Sequence, residues 1–328
     1  MSLDIWPPVP AAELKVKEAE TQMLIDLKAR ELRWITNETV QVCRDLKHGL
    51  EDCYALLAPI DPGSTLAVST PRNERVKGTI TRVGTRIVKA SIALRLATMP
   101  PTTLTLSPSA AIHIHALDAL HTHLNQSLDL LSVLLSHDTP PDPGSLAQTL
   151  TLLSESLSAS AELLKCSNPG THASPSWQLH SCPPDQFSPP LPPNLSVYLG
   201  LQDSCVVLCI RALEPVHAPV HLGTRLGLAI GTVRRLEHDE MDTVFSWDPS
   251  GCEDADSKRD SARHNPIWTP HHRSSNLEEV YVREKVPVDS PDPSLISLYS
   301  KLGFLSHMLA QARRNLAAVM GTDLEEKV

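Results

Sequence analysis

Four histidines crowd one stretch of the sequence, and the imidazole ring is a common zinc ligand in proteins. They are His113, His115, His121 and His123. Residues eight apart on a helix are rotated by roughly 80° about its axis, so the two pairs do not converge on one point. The stretch also lacks the H-E-x-x-H arrangement of a helical zinc protease. We therefore expect a solvated or lightly packed helix face here, without a bound metal.

Cysteines and glycines form two further patterns that could do chemistry. Cys205 and Cys209 lie four residues apart in a predicted strand. Two cysteines that bind one metal ion typically stand in a C-x-x-C turn instead. The stretch GTRLGLAIG, 223–231, lacks the Lys-Ser/Thr ending of a phosphate-binding loop and does not fit G-x-G-x-x-G. No G-x-S-x-G nucleophile elbow occurs either. The sequence therefore predicts no catalytic residue, cofactor or metal site, and a protein that is not an enzyme.

Composition narrows the class of protein. The chain has 328 residues, of which 41% are apolar, enough for a buried core. Its net charge of −9 argues against nucleic acid as the main ligand, because phosphate binding needs concentrated Lys and Arg. The seven cysteines have no paired spacing, which indicates reduced thiols in the cytoplasm. The longest clear apolar run, CVVLCI at 205–210, is too short to cross a bilayer, so we expect only peripheral membrane association.

The most regular apolar pattern is SLISLYSKLGFLSHMLAQARRNLAAVMG, 294–321. Its apolar residues alternate spacings of three and four, the pattern of a helix that keeps one stripe against a partner. Ser290, Asp292 or Ser294 could cap its start. The positions beside the stripe carry no acid and include apolar residues, which favours a helix inside a bundle over a simple dimeric zipper. The predicted seam contains Leu298, Leu302, Leu305, Leu309 and Leu316.

Three further segments carry the same helical period. The first is a predicted helix from Ala11 to Leu57, and the second begins at the SPS of 107–109 and ends at HDTPPDPG. The third follows that turn, with Ser145 and Gln148 spaced as a capping box, so the two should form an antiparallel hairpin. With the C-terminal helix they predict an antiparallel four-helix bundle, in which Leu305 packs against the first helix. The other predicted seam residues are Ile35, Val42, Leu46, Leu120, Leu124, Leu131, Leu150, Leu153 and Leu157.

Between the helices the apolar period changes to two, which is typical of β-strands. VKGTITRVGTRIVKASIALRL, 76–96, predicts a β-hairpin that turns at Gly84 and Thr85, and TLTL at 103–106 predicts another strand. Further strands are predicted in LSVYLGL, SCVVLCIRAL, RLGLAIGTV and VYVREKVPV. The sequence therefore predicts an α+β protein with an antiparallel β-rich domain inserted among the helices.

The order of these segments predicts how the chain divides. We expect a helical bundle domain built from both ends of the chain and a β-rich domain within it. Segments rich in Pro and Ser, or strongly polar, are predicted to be flexible. The predicted boundaries are 11–58, 108–166 and 291–321 for the helical domain, 59–107 and 191–290 for the β-rich domain, and 167–190 and 249–276 for the flexible segments.

Several stretches of the sequence resemble parts of one known family. RELRWITNETVQVCRDLKHGLEDCYALL, 30–57, is similar to the opening helix of the Rogdi family, and Val-Lys-Gly at 76–78 matches the start of its V-K-G hairpin. LPPNLSVYLGLQDSCVVLCIRALEP, 191–215, resembles its second block of strands, and VFSWD, 244–248, stands where the family has a short element containing Trp. The leucine-rich C-terminal helix completes the same order.

The resemblance implies an elongated protein with a four-helix domain made from both chain ends. It also implies a non-catalytic subunit, because the family includes the smaller partner subunit of the fungal RAVE complex. That complex regulates the vacuolar and endosomal V-type ATPase. The implied partners are a large WD-repeat-type scaffold subunit and the cytosolic sector of the ATPase, which the protein would help to join to the membrane sector. We expect a cytoplasmic monomer or hetero-complex subunit, recruited to vacuolar and endosomal membranes through its partners. The alternatives are an independent coiled-coil tether or scaffold and, less favoured, a cytosolic metallohydrolase.

Overall fold

The computed structural model describes residues 11–57, 63–71, 74–136, 141–165, 177–216, 238–249 and 277–321. Within these ranges it contains four α-helices and two antiparallel sheets, which confirms the predicted α+β class. The helices are α1 (Ala11–Leu57), α2 (His115–Leu135), α3 (Pro143–Lys165) and α4 (Pro293–Met320).

The first sheet contains the hairpin that the sequence predicted at Gly84. Its strands are β1 (Ser64–Ser69), β2 (Val76–Val83), β3 (Arg86–Leu94), β4 (Thr102–Leu106), β5 (Ile112–His113) and β6 (Phe187–Ser188). Their order is β1-β2-β3-β4-β6, and β5 pairs with β3. Gly84 has a φ of 63°, which a residue without a Cβ adopts at no steric cost, so the chain can turn tightly there.

The second sheet has the order β7-β8-β10-β9. Its strands are β7 (Leu195–Gln202), β8 (Cys205–Pro215), β9 (Val244–Trp247) and β10 (Glu278–Pro291). Residues from Val280 to Ser290 alternate buried and less buried positions along β10, as a strand with one core-facing side requires. The further strand predicted in RLGLAIGTV, 225–233, lies outside the described residues.

Two aspartates set the starts of α3 and α4. The Asp292 carboxylate accepts a hydrogen bond from the Ser294 backbone N–H at 2.9 Å, so Asp292 is the cap of α4. Asp142 accepts the Ser145 N–H at 3.1 Å and caps α3. The predicted capping box on Ser145 is therefore wrong. Asp142 precedes Pro143, and proline at the first helical position favours a helix that starts there.

The start of α2 also differs from the prediction. The helix begins at His115 rather than at the SPS of 107–109, because β5 intervenes. Ile112 and Ile114 are buried on either side of the exposed His113, an alternation with a period of two. His113 therefore belongs to a strand and not to the helix.

Part of the segment predicted to be flexible is ordered. Of residues 167–190, the structure describes 177–190, where a short 3-10 helix precedes β6 and β6 pairs with β4. Trp177 and Phe187 are both buried, so large apolar side chains anchor this Pro-rich stretch. The prediction is wrong for these residues. Residues 167–176, and nearly all of the predicted flexible segment 249–276, lie outside the described residues.

The chain divides into two compact units. One comprises residues 1–53, 123–160 and 300–328, and the other residues 54–122 and 161–299. The first contains parts of all four helices, and the second contains both sheets.

In the helical unit, α1 and α4 pack closely together. Any larger side chain at Gly49 would collide with Leu305, and Lys301 donates to the Asp52 carboxylate at 2.8 Å. Asp52 follows Gly49 along α1, whereas its partner Lys301 precedes Leu305 along α4. The two helices are therefore antiparallel. Leu305 is 3% exposed and lies against the N-terminal helix of its own chain.

Two further helix pairs of this unit are joined by polar contacts. Ser127 of α2 and Ser156 of α3 form a hydrogen bond of 2.8 Å. Arg313 of α4 donates to the Ser154 hydroxyl of α3 at 2.9 Å. The structure thus joins α1 to α4, α4 to α3 and α3 to α2.

Candidate functional site

The predicted seam residues are buried in the structure, except for Val42, which is half-buried. In α1 the buried stripe takes a neighbouring register in which spacings of three and four again alternate. Its residues are Thr36, Thr39, Cys43, Leu46, Leu50, Cys53 and Leu57. Of the predicted seam residues of α1, which are Ile35, Val42 and Leu46, only Leu46 belongs to this stripe, because the prediction followed an adjacent heptad register that overlaps it on one face of the helix. The packing of Gly49 against Leu305 helps to fix the observed register.

Arg82 of β2 is buried with no exposed surface, although arginine is rarely found so deep. Its Nε donates to Oδ2 of Asp292 at 2.6 Å, and Asp292 is equally buried. Its Nη1 donates to the backbone oxygens of Leu57 at 3.0 Å and Gly84 at 2.6 Å. One guanidinium group therefore joins the last residue of α1, the turn of the β2–β3 hairpin and the cap of α4.

The chemistry of this junction is positional. A guanidinium group offers several donors in a fixed plane and no acceptor, so Arg82 holds the Asp292 carboxylate and two backbone oxygens in place. The Asp292 carboxylate is occupied by Arg82 and by the Ser294 N–H, and it is shielded from solvent. The arrangement ties the last residue of α1 and the cap of α4 to the turn of the β2–β3 hairpin, and it presents no reactive group.

A second buried charge, Glu284 of β10, connects the two sheets. Its Oε2 accepts hydrogen bonds from the backbone N–H groups of Ala97 at 2.8 Å and Thr98 at 3.2 Å, just after β3. Arg75 lies 3.5 Å from Oε1 and supplies the opposite charge. On the same strand, the Ser290 hydroxyl donates to the Ala67 carbonyl of β1 at 2.8 Å. β10 is thus part of the second sheet and is tied to the first.

A third charged group surrounds Arg211 of β8. Glu240 accepts two hydrogen bonds from Arg211, at Nε (2.7 Å) and Nη2 (2.9 Å), which is the bidentate geometry that makes such pairs strong. Lys285 of β10 donates to Glu240 at 2.7 Å and to both oxygens of Asp239 at 2.8 Å. Two cations and two carboxylates balance one another in this network.

The network shifts the titration of its members. Burial raises the pKa of the Glu240 carboxyl, but hydrogen bonds from Arg211 and Lys285 outweigh it and leave that pKa below its ordinary value. The hydrogen bond from Lys285 lowers the pKa of Asp239. Burial acts in the opposite direction on Lys285, whose pKa is nevertheless raised by its hydrogen bonds to the two carboxylates. All these groups are therefore ionised at neutral pH, which suits an ion-pair network and not an acid–base catalyst.

Arg211 also touches an aromatic cluster. Its guanidinium carbon lies 4.8 Å from the centroid of the Trp177 ring, a cation–π contact. Trp177 packs against Trp247 and Phe245 with ring centroids 5.5 and 5.3 Å apart. The Trp247 indole N–H donates to the Pro193 carbonyl at 3.0 Å. These contacts hold the stretch around Trp177 against the second sheet, at its strands β8 and β9.

Three of the four histidines between residues 113 and 123 make separate contacts. His113 lies 3.2 Å from Asp118, His115 packs beside His180 with ring centroids 4.9 Å apart, and His121 lies 3.2 Å from the Tyr54 hydroxyl. Among the described residues, no three His, Cys, Asp or Glu side chains are grouped so that they could hold a metal ion.

The buried cysteines are poor nucleophiles. Burial raises the pKa of Cys43 and Cys182 to about 12 and that of Cys53 to about 11. A thiol with so high a pKa carries almost no thiolate at neutral pH, and the thiolate is the reactive form. Cys205 and Cys209, on the same strand, have raised pKa values for the same reason.

The buried charges were missed by the sequence analysis, although two of them carried a signal. Arg82 lies in phase with Val76 and Ile80, on the inward side of β2. Glu284 likewise continues the inward row of β10. A charged residue at an inward strand position indicates a buried partner. Arg211 had no such signal, because β8 is largely buried on both faces.

Residues 31–317 match the family model described as Rogdi leucine zipper containing protein. The chain is also similar to a Schizosaccharomyces pombe protein named regulator of V-ATPase in vacuolar membrane protein 2. The two are 22% identical over 256 residues, which cover 70% of this chain and 88% of the yeast protein. In the described part of the chain, no helix is long and apolar enough to span a membrane.

Proposed function

We propose a regulatory role at a V-type ATPase for this chain, which belongs to the Rogdi leucine zipper family. The family resemblance seen in the sequence is confirmed by the match over residues 31–317. The observation that carries the proposed role is the similarity to the yeast protein named as a V-ATPase regulator, which extends over 88% of that protein.

Within this role, the chain acts as a non-catalytic adaptor subunit of a RAVE-like complex. It binds a large WD-repeat-type scaffold subunit and the cytosolic sector of the ATPase, and it promotes the joining of that sector to the membrane sector. The protein is cytoplasmic and reaches vacuolar and endosomal membranes through these partners. The buried charges support an adaptor role, because Arg82, Glu284 and Arg211 each face an opposite charge and hold backbone or neighbouring strands in place.

Depletion of the protein from its own cells tests the regulatory role. We expect a higher vacuolar or endosomal pH and less of the cytosolic sector on sedimented membranes, while the total amount of ATPase subunits stays constant. Re-expression of the full chain should restore both. Unchanged organelle pH and sector distribution after complete depletion would contradict the proposal.

Affinity purification tests the proposed partners. A tagged chain that rescues the depleted cells should recover, in gentle salt, both the scaffold subunit and subunits of the cytosolic sector. Recovery of neither by a functional tagged chain would remove the adaptor proposal, even if the depletion phenotype stood.

The four helices are also proposed to form one antiparallel bundle, supported by the contacts of α1 with α4, α4 with α3 and α3 with α2. Leu305→Asp would bury an unpaired charge in this bundle, so we expect a large loss of helical circular dichroism. Phe304→Asp is the matched control, since Phe304 is 63% exposed, and it should keep the helical signal. An independent tether built on a free α4 predicts that both variants keep it.

A further inference from the structure

The first part of α1 is exposed along its length. Every residue from 12 to 31 is exposed, although this segment carries several large apolar side chains. Three of them are Val16, Met23 and Leu27, which are 56%, 69% and 55% exposed, and Trp34, just beyond this segment, is 62% exposed. Soluble helices usually bury an apolar stripe of this size, so an exposed one marks an interaction surface.

These four residues form one stripe. With 3.6 residues per turn they lie within roughly 40° of one another around the helix axis. The stripe points roughly 150° away from the row of Thr39, Cys43 and Leu46 that α1 buries farther along. Glu20 and Arg30 fall between the apolar residues and complete a run with spacings of four, three, four, three and four. This is the spacing of a coiled-coil seam.

The seam has a symmetric order about Ile25. Val16 and Trp34 are equally far from Ile25, as are Met23 and Leu27, and Glu20 and Arg30. When an identical helix lies antiparallel across a twofold axis at Ile25, apolar residues meet apolar residues. Glu20 of each copy then meets Arg30 of the other copy, which gives two ion pairs. A twofold interface requires this self-complementarity, because each patch contacts its own equivalent.

We propose that residues 12–34 of α1 form an antiparallel coiled coil with the same segment of a second copy of this chain. The seam consists of Val16, Glu20, Met23, Leu27, Arg30 and Trp34. On one flank Lys17 faces Glu31 of the second copy and Leu24 faces its equivalent, which adds attraction and apolar area. On the other flank the two copies of Asp26 face each other, a like-charge contact that weakens the pair.

Charge favours a second copy over a lipid surface. Helices that lie on anionic membranes concentrate Lys and Arg on the polar face. The segment from 12 to 34 instead has five acidic and five basic residues. The acidic residues are Glu13, Glu18, Glu20, Asp26 and Glu31, and the basic residues are Lys15, Lys17, Lys28, Arg30 and Arg33.

Sedimentation velocity of the full-length protein over a wide concentration range tests the proposal. We expect a monomer–dimer equilibrium, since the seam is short and contains charged residues. Glu20→Arg and Arg30→Glu should each weaken dimerisation by roughly tenfold or more, because each places two like-charge pairs in the seam. Glu18→Arg is the matched control. It makes the same charge change on the face away from the seam and should leave the dimer intact.

Mixing distinguishes this antiparallel pairing from other interfaces. The Glu20→Arg chain combined with the Arg30→Glu chain should form a heterodimer, because every Arg then meets a Glu. The double variant Glu20→Arg/Arg30→Glu should dimerise like wild type, and Asp26→Asn should dimerise more tightly. A wild-type chain that stays monomeric at all concentrations would overturn the proposal, even if the segment bound another protein. A dimer that neither single variant weakens, or no rescue on mixing, would also overturn it.

Discussion

Two arginines in the sheet-containing unit are buried, and their positive charges are compensated in different ways. Within the described ranges Arg82 has one charged partner, Asp292, and neither side chain has any exposed surface. Its other hydrogen bonds go to backbone carbonyls. Arg211 shares its carboxylate, Glu240, with Lys285, and the network ends at Asp239, whose side chain is 67% exposed.

The difference lies in access to water. Charges that are fully buried have lost their hydration, so Arg82 and Asp292 depend entirely on each other and on the backbone. The Arg211 network keeps one carboxylate in solvent, where water and salt compete with the ion pair. We therefore interpret Arg82 as a fixed junction and the Arg211 network as an adjustable contact. Variants of the two sites should differ in the size of their effects and in their response to pH and salt.

Asp292→Ala should have the largest effect. It leaves the Arg82 charge buried without a partner, which typically costs about 3–5 kcal/mol, and it removes the cap of α4. The free energy of unfolding, measured by chemical denaturation, should fall by this amount. Asp289→Ala is the control, because Asp289 lies on the same strand and is exposed. A loss below about 1 kcal/mol would show that Arg82 reaches water when its partner is removed.

Removing both charges sharpens this test. The double variant Arg82→Met/Asp292→Asn leaves no buried charge at this site, and the Asn side chain can still cap α4. Replacement of a buried ion pair by uncharged groups is often close to neutral. We expect the double variant to be more stable than Asp292→Ala alone, and the reverse order would contradict the assignment of the penalty to an unpaired charge.

Patterns within one helix could be predicted from the sequence, whereas contacts between distant segments could not. Apolar seams repeat along one helix, so Leu302, Leu305 and Leu309 could be placed on one face without knowledge of the fold. The choice between neighbouring heptad registers in α1 could not be predicted, because it depends on close packing between helices. Half-burial of Val42 is the visible result.

Partners far apart in sequence leave little local signal. Arg82 and Asp292 are separated by 210 positions, and an inward arginine indicates that a partner exists without indicating which residue it is. Trp177 stands beside a Pro-rich stretch whose composition predicted flexibility, yet its ring packs against Trp247 and Phe245. One aromatic anchor can thus order a segment whose average composition is that of a linker.

Glu240→Gln should have an intermediate effect. It removes the charge shared by Arg211 and Lys285, but Asp239 remains available to Lys285. We expect a loss of about 1.5–3 kcal/mol in the free energy of unfolding, the range measured for hydrogen bonds to charged groups. Glu279→Gln, at an exposed position of β10, is the control. A loss equal to that of Asp292→Ala would remove the distinction between the two sites.

Acidification should weaken the Arg211 network. The pKa values of Asp239 and Glu240 are lowered in the folded protein. Carboxylates of this kind stabilise the fold above their unfolded pKa values, near about 4, and the contribution is lost as the pH falls through the folded values. The stability difference between wild type and Glu240→Gln should therefore shrink from neutral pH to about pH 3. A difference that stays constant or grows on acidification would contradict the assigned direction of the shifts.

Asp239→Asn should have the smallest effect, and it should depend on salt. Lys285 donates to both Asp239 oxygens at 2.8 Å, but the Asp239 side chain is 67% exposed, so solvent screens the pair. Exposed ion pairs contribute at most about 1 kcal/mol, and salt reduces that further. We expect the difference from wild type in the free energy of unfolding to vanish at about 1 M salt, whereas the loss in Asp292→Ala should persist because water and ions do not reach that pair. Urea is the suitable denaturant, since it adds no ions of its own. Equal salt dependence of the two variants would contradict the difference in solvent access between the Arg82–Asp292 pair and the Lys285–Asp239 pair.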